Sequence, residues 1–341
     1  MPRYAVLQNP GHNRVYFNSS GKLAKNELAA LFAGSNITDI TETRFGGVEY
    51  IAFCSERGLS EEDIIMLSRL SFVYAIFEIR DDKLFLPVSK NHSYYFGDDL
   101  NMILKYSGKT NEIFTRMMIN LAVSASGFKN RFCENLNLLD PVCGKGTTLF
   151  EGLTCGYNSF GIDISAKLIE EGARFLKKYL ETGKYKHALK KEKISGADFR
   201  SQRYLFDIAK TKSDQKESKS LTCEFIDGDA QNAAKYYKKN TFHIIVGDLP
   251  YGIRHENNSG GGKMRNPENL IKASVPVWTE VLKPGGAMVI AWNTFLLKRA
   301  ELENIFAENN LAMPNYGAFG DFSHRVDQAI NRDVIVGVKK P

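Results

Sequence analysis

The feature that most constrains the fold is a series of short apolar segments, each followed by a stretch with helical spacing, from about residue 108 onwards. Apolar strands are predicted at residues 136–139, 159–162, 223–226, 243–246, 287–291 and 333–338. Strands that alternate with helices along a chain pair in parallel and are covered by helices on both faces. The pattern therefore predicts an α/β domain with a mostly parallel sheet over residues 96–341.

The first 95 residues follow a different pattern. Strands are predicted at residues 4–8, 48–54 and 72–80, and one helix at residues 22–32. Ser60 followed by three acidic residues predicts the start of a second helix, because a serine caps the first turn and acids there favour the helix dipole. This β-α-β-α-β order predicts a small ferredoxin-like α+β domain over residues 1–95.

Composition agrees with this two-domain organisation. The chain has 341 residues, 43% of them hydrophobic and 25% charged, which is typical of soluble globular domains and excludes a fibrous or wholly disordered protein. The five cysteines include no Cys-x-x-Cys pair and no His cluster accompanies them, so neither a disulfide framework nor a metal site is predicted. Without an apolar run of about 18 residues or a secretory signal, we expect a soluble cytoplasmic protein.

A glycine-rich turn follows the first strand of the larger domain, in Leu138-Leu-Asp140-Pro-Val-Cys-Gly144-Lys-Gly146-Thr-Thr148. Glycine has no Cβ, so backbone N–H groups and the start of the next helix can approach a polar ligand closely. Taken alone, the turn also fits an ordinary strand-to-helix connection. A dinucleotide fingerprint would need a third glycine where Leu149 stands, so NAD or FAD is disfavoured.

Three further strands also end in acids. The second ends at Asp163, seventeen residues after Gly146, where a carboxylate can accept both hydroxyls of a ribose. The third runs into Asp227-Gly-Asp229-Ala230, and the fourth into Asp248-Leu-Pro-Tyr251. Parallel strands bind ligands at their carboxyl ends, so these acids are predicted to share one site.

Together these residues resemble the class I S-adenosylmethionine-dependent methyltransferases, and among them the RNA guanine-N2 and DNA adenine-N6 amino-methyltransferases. Residues 140–147 are similar to the cofactor loop, Asp248-Leu-Pro-Tyr251 to the catalytic tetrapeptide, and Leu282-Lys-Pro-Gly-Gly286 to the turn before the fifth strand. The segment from Arg116 to Ala122 resembles the helix before the cofactor loop of tRNA guanine-N2 methyltransferases. The resemblance covers about residues 108–341 and implies a Rossmann-like fold with a seven-stranded, mostly parallel sheet.

The resemblance also implies a cofactor, S-adenosylmethionine, and the residues that hold it. These are Thr110, Asp140, Cys143, Gly144, Gly146, Thr147, Asp163, Ile164, Asp229, Ala230 and Asp248. The implied catalytic residues are Asp248, Leu249, Pro250 and Tyr251. No metal is implied.

The chemistry of an exocyclic amine explains the tetrapeptide. Such a nitrogen is a poor nucleophile because its lone pair is delocalised into the base, so positioning supplies most of the catalysis. The Asp248 carboxylate and the Leu249 carbonyl are expected to accept the two N–H groups, which aims the lone pair at the methyl group. Pro250 stiffens the turn, and Tyr251 offers a face on which the base stacks.

Several functions remain open at this point. The first is an RNA guanine-N2 methyltransferase, with tRNA ahead of rRNA, because Leu249 replaces the Pro of many amino-methyltransferases and is similar to part of the RNA group. Alternatives are a DNA adenine-N6 methyltransferase and a non-catalytic RNA-binding protein. The tRNA group usually adds a THUMP domain, for which residues 1–95 leave little room. RNA is the expected partner, no membrane is expected, and a monomer and a dimer are both open.

Two segments near the tetrapeptide are further candidates. Arg254, His255, Lys263 and Arg265 lie in a Gly- and Asn-rich stretch that either closes over a nucleotide or is a solvated loop. His324 and Arg325 resemble a family position near the target base, and a surface turn fits them equally well.

The net charge of +6 is concentrated in one segment. Residues 165–220 contain 15 Lys plus Arg and 8 Asp plus Glu, an excess of +7, which leaves −1 for the rest of the chain. About 65 residues separate Asp163 from Asp229, more than a simple strand-helix-strand crossover needs. We interpret residues 181–220 as a basic insertion that either contacts the RNA backbone or forms a solvated loop. In the first case, deleting residues 210–219 should weaken RNA binding.

Overall fold

The computed structural model describes residues 1–9, 14–81, 84–90, 94–102, 109–132, 134–196, 198–217, 219–250, 267–314 and 319–341. These residues form two sheets, a small antiparallel one near the N-terminus and a large mixed one. None of the helices in these ranges is long and apolar enough to cross a membrane.

The small sheet has the ferredoxin-like arrangement. Its elements are β1 (Arg3–Gln8), α1 (Arg14–Leu31), β2 (Ile37–Phe45), β3 (Val48–Ser55), α2 (Glu61–Arg69), β4 (Val73–Arg80) and β5 (Leu84–Val88). The strand order is β2-β3-β1-β4-β5, with every neighbouring pair antiparallel. Leu23 and Leu28 of α1 and Leu67 of α2 share a core with Val6 and Ile51 of the sheet.

Three of these five strands were predicted from the sequence, and β2 and β5 were not. Both are edge strands, and most of their side chains are at least partly exposed. The sequence Ile-Thr-Asp-Ile-Thr-Glu-Thr-Arg-Phe of β2 is mostly polar, so it lacks the apolar signal of a buried strand. The second helix begins as predicted, because Ser60 and Asp63 form a reciprocal capping box.

The larger sheet carries the predicted alternation of strands and helices. Its elements are α3 (Asp99–Met102), α4 (Glu112–Ala125), β6 (Asn137–Asp140), α5 (Thr147–Thr154), β7 (Asn158–Asp163), α6 (Ala166–Thr182), β8 (Lys186–Ser195), β9 (Arg200–Ala209), α7 (Lys212–Lys216), β10 (Leu221–Asp227), α8 (Ala233–Tyr236), β11 (Phe242–Asp248), α9 (Pro267–Val281), β12 (Leu282–Asn293), α10 (Arg299–Glu308), β13 (Leu311–Ala312), β14 (His324–Arg325) and β15 (Asn331–Lys339). The strand order is β13-β15-β12-β11-β6-β7-β10-β9-β8, and β14 pairs with β15.

Five adjacent strands of this sheet, β12-β11-β6-β7-β10, run parallel. The others are antiparallel to their neighbours. The predicted α/β, Rossmann-like fold class is therefore confirmed. Within the described ranges the sheet has ten strands instead of the expected seven, partly because residues 186–209 of the basic insertion form a β-hairpin, β8–β9, that extends it.

The small sheet is joined to the larger one through α1 and α4. Glu27 of α1 is fully buried and accepts hydrogen bonds from the Asn120 side chain of α4 at 2.7 Å and from the backbone N–H of Ser71 at 3.0 Å. Burial raises the pKa of the Glu27 carboxyl to about 7, and the hydrogen bonds from Asn120 and Ser71 limit that rise.

This buried carboxyl makes the stability of the protein depend on pH. A carboxyl with a higher pKa in the folded than in the unfolded chain stabilises the fold below about pH 4.5, and that contribution is lost as pH rises to about 7. Relative to Glu27→Gln, the wild-type protein should lose up to about 3 kcal/mol of unfolding free energy over this range. Urea titrations at a series of pH values measure the difference, and parallel pH profiles for the two proteins would contradict the assignment.

Candidate active site

Four parallel strands of the larger sheet end in aspartates at one edge. Asp140, Asp163, Asp227 and Asp248 are the last residues of β6, β7, β10 and β11. Asp163 lies directly opposite Asp227 in the pairing of β7 with β10, and Asp140 lies opposite Gly161. The carboxyl ends of these strands therefore form one acidic edge, as the sequence predicted.

Asp140 lies at the buried centre of this edge, with 3% of its surface exposed. Its Oδ1 accepts a hydrogen bond from the N–H of Val142 at 3.0 Å. Burial raises the pKa of Asp140 to about 7, and the negative charges of Asp163 and Asp248 add to that rise. Asp140 ends β6, which lies between β11 and β7, so its carboxyl is the middle one of the three.

Asp163 fixes the glycine-rich turn. Its Oδ2 accepts the N–H of Gly144 at 2.9 Å, and its Oδ1 accepts the N–H of Ser165 at 2.8 Å. Burial raises the pKa of Asp163, and these two backbone hydrogen bonds oppose the shift. The N–H of Cys143 donates to the carbonyl of Ile162 at 2.9 Å, so the turn is held against β7 at two successive residues.

The two glycines of the turn differ in the space around them. Gly146 is the N-cap of α5 with φ of 97°, and a Cβ there would lie 2.8 Å from the ring of Phe225. Gly144 has φ of 54°, and a Cβ there would meet nothing within 4 Å. The positive φ favours glycine at both positions, but only at Gly146 would an added Cβ also collide with a neighbouring side chain.

This contrast predicts different costs for the same substitution. Gly144→Ala should lower the free energy of unfolding by about 1 kcal/mol, the cost of a left-handed backbone for alanine. Gly146→Ala should lower it by about 2 to 4 kcal/mol, because Phe225 must also move. Urea titrations of both variants test the difference, and equal losses would show that the contact with Phe225 is unimportant.

The remaining predicted cofactor residues border the same edge. Thr147 is the buried first residue of α5, and the Cys143 side chain is buried with the pKa of its thiol raised by desolvation. Ile164, directly after Asp163, is 70% exposed, which is unusual for a large apolar side chain. Asp229 caps a short 3-10 helix (Ala230–Asn232) by accepting the N–H of Gln231 at 3.0 Å.

Asp248 lies among polar partners at the end of β11. Its Oδ2 accepts the Thr110 hydroxyl at 2.7 Å and lies 3.9 Å from a guanidinium nitrogen of Arg332. Leu249 is buried, and its N–H donates to the carbonyl of Ala291 on β12 at 2.9 Å, whereas Pro250 is exposed. Backbone pairing with β12 thus continues one residue beyond Asp248. Tyr251 lies outside the described residues.

Arg332, which lies near Asp248, and Phe114, which packs against Arg332, were not predicted from the sequence. The Arg332 guanidinium carbon lies 4.3 Å from the centre of the Phe114 ring, and His324 lies opposite Arg332 in the pairing of β14 with β15. Burial and the charge of Arg332 lower the pKa of His324 to about 4, so this ring is neutral at physiological pH. Arg332 next to Asp333 interrupts an otherwise apolar strand, and that was the signal available in the sequence.

The structure separates the two residues predicted near the target base. His324 is buried, packs 5.3 Å from the Phe114 ring, and lies opposite Arg332, whose guanidinium is 3.9 Å from Asp248. Arg325 is exposed and donates to the carbonyls of Asp327 and Gln328 in its own turn. The surface-turn interpretation therefore holds for Arg325 alone. Arg254, His255, Lys263 and Arg265 lie outside the described residues.

Comparison with known proteins establishes the family. A family model described as the RMKL-like methyltransferase domain matches residues 125–315, which is more than half of the chain. The chain belongs to this methyltransferase family. It is an S-adenosylmethionine-dependent methyltransferase, and S-adenosylmethionine is its methyl donor. No curated protein matches the chain.

Solved structures show similarity at low identity. TrmN from Thermus thermophilus has 12% identity and a TM-score of 0.46, over 99% of this chain and 100% of that chain. A TehB-like methyltransferase from Corynebacterium glutamicum has 13% identity and a TM-score of 0.35, over 60% of this chain and 81% of that chain. Magnesium protoporphyrin IX methyltransferase from Synechocystis has 12% identity and a TM-score of 0.38, over 69% and 87%.

Proposed function

We propose that this methyltransferase acts on an exocyclic amine of RNA, namely guanine N2 of tRNA. The observation that carries the proposal is Asp248 at the end of β11, with its side chain 9% exposed, followed by buried Leu249 and exposed Pro250. The segment Asp-Leu-Pro-Tyr is similar to the catalytic tetrapeptide of RNA guanine-N2 methyltransferases.

The residues at the acidic edge fit S-adenosylmethionine. The position of Gly144 leaves open space where a side chain would project, and Asp163 lies beside it with oxygens suited to ribose hydroxyls. Ile164 exposes an apolar side chain next to Asp163, where an adenine ring can pack. When bound, the cofactor supplies an electrophilic methyl group on a sulfonium centre.

The chain's own residues then position the amine. The Asp248 carboxylate accepts one N–H and the Leu249 carbonyl accepts the other, which would aim the nitrogen lone pair at the methyl group of the bound cofactor. As positive charge develops on that nitrogen, the carboxylate stabilises it electrostatically. Thr110 donates to Oδ2 of Asp248 and thereby fixes the rotation of the carboxylate. Tyr251 is proposed as the stacking surface for the base.

Methyl transfer to mixed nucleic acids tests the proposal. The protein is incubated with labelled S-adenosylmethionine and separately with total tRNA, total rRNA and genomic DNA, and the nucleosides are then analysed. We expect label in N2-methylguanosine or N2,N2-dimethylguanosine of tRNA. Label only in rRNA would show that the substrate is rRNA and not tRNA. Label only in N6-methyladenine of DNA would exclude an RNA methyltransferase.

A further inference from the structure

The hairpin β8–β9 reaches the same edge of the sheet as the acidic site. Arg203 of β9 lies opposite Ile226 of β10, and the backbone N–H of Gln202 donates to the Asp227 carboxylate. The turn of the hairpin, between Ser195 and Arg200, therefore projects at the carboxyl ends of the parallel strands. The insertion is thus built into the sheet and not simply looped out of it.

The two faces of this hairpin differ in charge. On the face that packs against α6, the ten strand positions of β8 and β9 include three cations and no carboxylate. These cations are Lys191, Lys193 and Arg200, all exposed, and we call them the hairpin cation strip. The Lys191 ammonium lies 4.8 Å from the centre of the Tyr204 ring, which holds its side chain against the sheet.

On the opposite face of the hairpin, two of the three cations form ion pairs with carboxylates. Lys190 forms an ion pair with Glu192 at 2.5 Å, and Arg203 forms pairs with Glu192 at 3.3 Å and Glu224 at 3.1 Å. β8 is an edge strand, and lysines on an edge strand discourage pairing with the sheet of another molecule. That role explains the presence of lysines on both faces of β8. It does not account for a cluster of one sign on the α6 face alone.

The strip lies in line with the site. Across the sheet, Lys193 of β8 is opposite Gln202 of β9, which bonds to Asp227 of β10. Asp227 is in turn opposite Asp163 of β7. Three strand spacings, about 14 Å, therefore separate Lys193 from Asp163. Asp248 is two strands further along, at about 24 Å. A folded RNA extends well beyond its target nucleotide, so phosphates that flank a base at Asp248 are within reach of the strip.

The other lysines of the insertion lie elsewhere. Ile208 near the end of β9 is opposite Leu221 at the start of β10, so residues 210–219 connect the strands at the amino edge of the parallel strands. That edge is opposite to the site. The expectation that residues 210–219 contact RNA is therefore replaced by a different assignment within the same insertion.

We propose that the hairpin cation strip binds the sugar-phosphate backbone of the RNA substrate, an inference that rests on the proposed RNA methyltransferase function. Each phosphate neutralised by a cation releases condensed counterions, so binding through the strip depends steeply on salt. Arg200 and the two lysines place three positive charges on one face of the hairpin, where Asp227 of the neighbouring strand β10 is a nearby acid, so the face keeps an excess of positive charge that suits a polyanion.

The test compares two variants with the same change in net charge. The strip variant combines K191Q, K193Q and R200Q, and the control combines K212Q, K216Q and K219Q at the opposite edge. The KM for unfractionated tRNA is measured against KCl concentration, and tRNA binding is measured separately by fluorescence anisotropy. The strip variant should raise KM about tenfold or more at low salt and reduce the slope of log KM against log salt by about 2.

In the same comparison, kcat at saturating tRNA and the Kd for S-adenosylmethionine should stay within about twofold in both variants, because none of the six substituted residues is among the predicted cofactor-binding or catalytic residues. Equal KM values and equal salt slopes for the two variants would overturn the strip assignment while leaving RNA methylation intact. If the wild-type protein binds tRNA without methylating any RNA, the proposed function fails, and the anisotropy difference alone decides the role of the strip.

Discussion

Replacing Asp248 with asparagine is expected to lower methyl transfer by at least about a hundredfold. Asparagine has the same shape and keeps an oxygen for the Thr110 hydroxyl, which lies 2.7 Å from Oδ2 of Asp248. It removes the negative charge that would stabilise the developing positive charge on the amine, an effect typically of this size for a charged group at a reacting centre. Single-turnover methylation with labelled cofactor measures the change in rate.

Asp163→Ala is the matched comparison for Asp248→Asn. Asp163 holds the N–H of Gly144 and is the proposed ribose acceptor, so its loss should weaken S-adenosylmethionine binding by about tenfold or more. Asp248→Asn should leave that affinity within about threefold, as measured by calorimetry. A rate unchanged in Asp248→Asn would refute the mechanism, and an unchanged cofactor affinity in Asp163→Ala would remove that residue from the cofactor site.

The strands at the centre of the larger sheet were predictable because they are buried on both faces. Residues 223–226 were predicted as strand and lie inside β10, and residues 243–246 lie inside β11. The apolar side chains of these strands are almost fully buried, and such continuous apolar runs are typical of parallel strands. The hairpin β8–β9 was missed because its lysine-rich edge strand has the composition of a solvated loop.

The acidic edge was predictable because each acid directly follows a recognisable strand. Arg332 and Phe114 were not, because nothing in the sequence fixes how β15 pairs with β12 or where α4 crosses the sheet. Arg332 comes near Asp248 only through the antiparallel register that places it opposite Asn293. Long-range register of this kind depends on packing between strands about 40 residues apart, which local patterns do not encode.

Arg69 is expected to be one of the largest single contributors to stability. It lies in the last turn of α2, is 3% exposed, and donates to the carbonyls of Phe132 at 2.5 Å and Cys155 at 3.0 Å beside the larger sheet. Arg69→Met keeps most of the side-chain volume but leaves two buried carbonyls without these donors. We expect a loss of about 3 kcal/mol in unfolding free energy. Urea titration measures it, with the exposed Arg57→Ala as the control expected to stay within about 0.5 kcal/mol.

Loss of Arg69 should also lower the rate of methyl transfer, because the small domain contacts the segment that leads to His324, near Asp248. Lys22 of α1 forms an ion pair with Asp321 at 2.5 Å and donates to the Ser323 carbonyl at 3.3 Å, directly before His324. If Arg69→Met loosens the junction, methyl transfer at 25 °C should fall more than cofactor affinity does. Destabilisation with an unchanged rate would instead show that the contacts of α1 hold this segment without help from α2.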